Sequence, residues 1–86
     1  MNKLLASITN LLNLKNVKHF LVSKEVEWEI QIPHYETERP WFVISVNQEG
    51  AKISPVSKGA NWSTKITEEN HKFILSFYLV YCDHLS

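Results

Sequence analysis

Residues 25–32 read Glu-Val-Glu-Trp-Glu-Ile-Gln-Ile, polar and apolar in strict alternation. Successive side chains of a β-strand point to opposite faces, so this segment predicts one wet face and one buried face. Such a strand belongs in an antiparallel sheet covered on one side. Pro33 ends the run, since it has no N–H to give to a ladder.

The segments around this strand follow from their own patterns. Leu4, Leu5, Ile8, Leu11 and Leu12 share one stripe of a helix, which ends near Leu14 to Asn16, where Asn tolerates a left-handed terminal conformation. Val17 to Val22 is rich in β-formers and predicts a first strand, joined to the alternating one through Ser23 and Lys24. Trp41 to Val46 is apolar on both faces and predicts a central strand. After the turn Asn47-Gln48-Glu49-Gly50 comes a short fourth strand, Ala51 to Ser54, ended by Pro55 and expected at the sheet edge. Residues 56–65 read as loop. Thr67-Glu68-Glu69-Asn70 predicts a helix start, with a hydroxyl cap and acids at the positive end of the dipole.

A continuous apolar run such as residues 73–82 fits either a helix or a buried strand, and the cap and length favour a helix. The expected fold is therefore α+β, in the order α-β-β-β-β-α: an antiparallel four-stranded meander flanked by an N-terminal and a C-terminal helix. Residues 1–86 are expected to form one domain, because a chain of this length has room for one core. At 44% hydrophobic and 21% charged residues it has the balance of a globular domain rather than a disordered segment.

Cys82 is the lone cysteine, so no intramolecular disulfide is possible, and residues 1–13 lack a sustained apolar signal core. The longest apolar run is well short of the roughly 20 residues a membrane helix needs. A cytoplasmic protein is expected, which makes the glycosylation pattern Asn61-Trp62-Ser63 accidental.

The net charge is zero, but the charges are segregated. Residues 1–24 hold Lys3, Lys15, Lys18 and Lys24 and no acid, and residues 25–38 hold Glu25, Glu27, Glu29, Glu36 and Glu38 and no base. A neutral chain lacks the cationic excess that direct nucleic-acid or anionic-membrane binding draws on, and Glu68 and Glu69 open the final helix where phosphate recognition would want cations. If the alternating strand runs from residue 25, Glu25, Glu27 and Glu29 form an acidic stripe at about 7 Å intervals. In a tight hairpin that face also carries Phe20 and Val22.

No enzyme signature is present: there is no Gly-rich phosphate loop, no nucleophile elbow and no Cys-His pairing. His71, Cys82 and His84 do not make a metal site, since Cys82 and His84 sit about 200° apart around a helix. No cofactor is expected. The loop bracketed by Pro33 and Pro40 supplies Tyr35, Glu36 and Glu38, and Trp41 follows it. Aromatic residues beside charged ones are typical of interface anchors.

The leading expectation is a protein that works by binding another protein, most concretely an inhibitor or immunity-type protein facing a basic nuclease or nucleic-acid-binding partner. Its contact residues are expected to be Phe20, Glu25, Glu27, Glu29, Tyr35, Glu36, Glu38 and Trp41. The alternative is a homo-oligomeric module, a dimer in the simplest case, assembled through the C-terminal helix, whose Phe73, Phe77 and Tyr81 lie opposite Leu75, Leu79 and Cys82. A third class, a small-ligand binder or enzyme built on the Pro33 to Pro40 loop, would need a pocket converging on His34 or Arg39.

Overall fold

The computed structural model describes residues 3–33, 40–56 and 63–85. Its elements are α1 (Lys3–Leu14), β1 (Phe20–Ser23), β2 (Trp28–Pro33), β3 (Pro40–Asn47), β4 (Gly50–Pro55), β5 (Thr64–Ile66) and α2 (His71–Leu85). The strands form one antiparallel sheet in the order β1-β2-β3-β4-β5. The fold is thus α+β, a meander between two helices, with residues 73–82 helical as expected.

The sheet has five strands rather than four. β5 pairs Ala51 with Ile66, Lys52 with Lys65 and Ile53 with Thr64, so β4 is internal and not the edge. Three residues are too few to show an alternation. What recruits them is Ile66, fully buried beside Ile53 in the core.

One face of the sheet carries Ile30, Ile32, Phe42, Ile44, Val46, Ala51, Ile53 and Ile66, all buried in the same core as Leu4, Leu5, Ile8 and Leu12 of α1 and Leu75 and Tyr78 of α2. Both helices therefore cover that face. The outer face runs in rows fixed by register: Val22, Glu29, Ser45, Lys52 and Lys65 form one, and Phe20, Gln31, Val43 and Ser54 the next. The apolar character of β3 on both faces comes from Val43, which is only half-buried on this outer side.

α1 ends at Asn16, whose φ of 57° is left-handed. The Asn16 N–H donates to Asn13 O and the Val17 N–H to Leu12 O, the paired bonds of a Schellman motif. Val17 packs on the core and is spent on this cap, so the first strand starts at Phe20 rather than at Val17. Gly50 closes the β3–β4 turn at φ 147°, a value costly for residues with a Cβ. Asn47 Oδ1 accepts from the Glu49 and Gly50 N–H groups in the same turn.

The entry to α2 is a reciprocal cap. Asn70 N–H donates to Thr67 Oγ1 at 3.1 Å, and Thr67 N–H donates to Asn70 Oδ1 at 2.7 Å. Buried His71 donates from Nδ1 to Glu68 O at 2.8 Å, and the Ser7 hydroxyl donates to the Glu68 carboxylate, tying α1 to this entry. No helix among the described residues is long and apolar enough to cross a membrane.

Candidate protein-binding surface

The β1–β2 connection places the acidic residues differently from the sequence expectation. Ser23 pairs with Trp28, and the Lys24 N–H donates to Glu27 O at 2.9 Å, which leaves Glu25 and Val26 as a two-residue turn. The stripe is therefore not a single strand face: Glu25 is exposed on the turn, Glu27 is half-buried beside it, and Glu29 alone lies in the ladder. The hairpin is tight, and Phe20 and Val22 share the outer face with Glu29 as expected, opposite Gln31 and Glu29 respectively.

Glu29 is not a bare charge. Lys24 Nζ lies 2.7 Å from Glu29 Oε2, and Gln31 Nε2 donates to Glu29 Oε1 at 2.9 Å. The hydrogen bond from Lys24, followed by that from Gln31, holds the Glu29 carboxyl below the usual carboxylate range. Bonding to Glu29 raises Lys24 in turn. On the sheet's far side, Lys52 and Lys65 stand directly opposite each other, so the outer face is acidic only near β2.

In an antiparallel meander the first and third turns fall at the same end of the sheet. Trp28 pairs with Val46, and the turns Glu25–Val26 and Gln48–Glu49 consequently flank a shared open groove of about 820 Å³. Glu25, Glu27 and Glu49 line it together with Trp28, Val46 and Val26. Val26 is 82% exposed, an apolar tip on an acidic rim. Lys24 also lines the groove but is bonded to Glu29, so the surface combines three carboxylates with a half-buried indole and the exposed Val26, while Val46 beneath them is buried, a composition suited to a cationic, partly apolar contact.

The structure thus gathers Glu25 and Glu27 into one site and adds Trp28, Val26 and Glu49, which the sequence reading did not include. The rule that alternate turns of a meander cluster would have found Glu49. Phe20 stands at the other end of the hairpin, opposite Gln31, and Lys18 Nζ lies 5.7 Å from its ring centroid. Trp41 is the extra residue of a β-bulge, since Ile32 pairs with Phe42 and Pro33 with Pro40. Tyr35, Glu36 and Glu38, and with them His34 and Arg39, lie outside the described residues. So does Trp62. Among the described residues no group of His, Cys, Asp or Glu is arranged to hold a metal ion.

Comparison with protein-family models, with curated proteins and with solved structures gives no match.

Proposed function

We propose that this chain is a protein–protein interaction module, most concretely an inhibitor or immunity-type protein that meets a basic partner, of the nuclease or nucleic-acid-binding kind, in the cytoplasm. The observation that carries the reading is the groove between the two turns, whose lining brings Glu25, Glu27 and Glu49 together with Val26 and the half-buried Trp28. Carboxylates in this arrangement accelerate encounter with a cationic surface and reject anionic ones, while Trp28 and Val26 supply the desolvated contact that holds the complex. The reading is of a binding protein, with no catalytic step assigned to it.

The test is affinity capture from the native host with the intact chain and with the E25K/E27K/E49K variant, read by mass spectrometry at two salt concentrations. A partner of basic isoelectric point should be retained by the intact chain, released by salt and lost with the variant. Retention of the same proteins by both chains would overturn the reading.

A second reading, self-association through α2, is favoured by one specific observation. Phe73 and Phe77, one helical turn apart, are 73% and 60% exposed, while Leu75 and Tyr78 on the opposite side are buried. Sedimentation at micromolar concentration decides it, since a strict monomer removes it.

A further inference from the structure

Trp28 and Val46 are the last pair of the β2–β3 ladder. Beyond them the two hairpins part, and their tips form opposite banks of the groove, residues 24–27 on one side and residues 47–49 on the other. The chain's own bonds hold both banks. The Lys24 N–H, 2.9 Å from Glu27 O, closes the first tip. Asn47 Oδ1 closes the second, accepting from the Glu49 N–H at 2.8 Å and the Gly50 N–H at 3.1 Å. The banks are thus set before a partner arrives, and a contact there costs little ordering of the backbone.

Carboxylates stand on both banks, Glu25 and Glu27 on one and Glu49 on the other. Among the described residues no hydrogen bond or ion pair engages the carboxylates of Glu25 and Glu49, and Glu27 adds only a minor attraction to Lys24. Lys24 is the cation in the lining, but its ammonium lies 2.7 Å from the Glu29 carboxylate, which is not part of the lining. The groove therefore presents negative charge from two sides, with the half-buried Trp28 and the exposed Val26 between and beside the acids.

Two kinds of side-chain cation could answer that charge, and the lining separates them. An ammonium is a compact, strongly hydrated point charge that offers only its stem to an apolar wall. Lys24 shows the arrangement that suits it, a single carboxylate on one neighbouring strand. A guanidinium is more weakly hydrated, lays its flat faces on aromatic surface, and sends its donors outward in its own plane, so that it reaches acceptors on two sides at once. We infer that the groove receives an arginine side chain from a loop of the partner protein, its donors directed to carboxylates on both banks and its faces meeting Trp28 and Val26. The inference rests on the groove being the partner-binding surface and adds the side chain which that surface selects.

The probe is a short, end-blocked peptide alternating Gly and Arg, compared with its Lys and its citrulline counterparts, titrated into the full chain and followed by NMR. The Arg peptide should shift the Trp28 indole N–H and the Glu27 and Glu49 amides. The Lys peptide should bind several-fold more weakly, and the citrulline peptide, which keeps the shape of arginine without its charge, should not bind. Glu49→Gln, on an exposed turn, should weaken the Arg peptide roughly two- to fivefold, the size of one exposed ion pair. Glu69→Gln removes the same charge from an exposed position in the turn before α2, outside the groove, and should leave binding unchanged. Equal binding of the Arg and Lys peptides, equal losses from the two substitutions, or a Trp28 indole signal that does not move would each overturn the inference. Capture of a basic partner that depends on Glu25, Glu27 and Glu49, with no binding of the Arg peptide, would overturn it as well and leave the broader reading of the groove in place.

Discussion

The Tyr78 hydroxyl lies 2.6 Å from Thr64 Oγ1, joining the middle of α2 to the three-residue strand β5. The same ring packs edge-on against Phe42 of β3 at 5.0 Å between centroids. One side chain thus provides both a packing contact to the centre of the sheet and a polar contact to its edge. Tyr78→Phe keeps the ring and loses the hydroxyl contact, and is expected to cost about 1 kcal/mol of unfolding free energy. Tyr78→Ala also empties the core position and should cost about 3–5 kcal/mol. Urea denaturation of the two variants checks the ordering, and equal losses would show that the ring contributes nothing beyond its hydroxyl.

The reciprocal bonds between Thr67 and Asn70 make a second prediction. Thr67→Ala removes the acceptor for the Asn70 N–H and is expected to cost about 1 kcal/mol. Asn70→Ala removes the acceptor for the Thr67 N–H and also the bond from Asn70 Nδ2 to Lys65 O. Because each residue orients the other, the double variant should lose less than the sum of the two single losses. A thermal-denaturation double-mutant cycle measures that difference, and strict additivity would mean the two bonds form independently.

The limits of sequence reading here have physical causes. The Thr67 hydroxyl bond and the left-handed Asn16 were legible because each depends on a few adjacent residues, whereas Glu68 and Glu69, expected in the first turn of the helix, lie in the turn before α2, which starts at His71. The turn at Glu25 and Val26 was not legible, because a two-residue turn preserves the alternation of the strand that follows it. Only the cross-strand bond from Lys24 to Glu27 shows where the ladder stops. β5 escaped because its pairing is set by the partner strand and by one buried isoleucine, not by a pattern of its own. The site shows the same division: the acidic character of residues 25–29 is written locally, whereas Glu49 joins it through the order of the strands. The pairing of Lys24 with Glu29, which neutralises part of that acidity, depends on register and could not be read in advance.

Lys52 and Lys65 face each other across β4 and β5, both exposed. Like charges directly opposite on a sheet repel, so Lys65→Glu should convert a repulsive pair into an attractive one and stabilise the fold by about 0.2–1 kcal/mol. The gain should shrink at high salt, since screening acts strongly on exposed pairs. Melting temperatures of the two chains at low and high ionic strength read both effects, and a variant that melts lower at low salt would contradict the register.

The pair Lys24 and Glu29 predicts how stability varies with pH at both ends of the range. The Glu29 carboxyl is held low in the folded chain, chiefly by its hydrogen bond from Lys24, so the folded state binds its proton less readily than the unfolded state does. The stabilisation it brings is fully present above the unfolded carboxylate value, about 4.3, and is lost as pH falls through the lower folded value. Lys24 is raised by the same partner. Its contribution is present below the unfolded lysine value, about 10.4, and is lost as pH rises through the higher folded value. Glu29→Gln removes the carboxylate, and with it the difference at both ends. Across neutral pH the variant should be uniformly less stable than the parent, and the two stability curves should converge below about pH 4 and again at strongly alkaline pH. Chemical denaturation at a series of pH values measures that gap, and a gap that stays constant into acid would show that the Lys24 contact does not bias the protonation of Glu29.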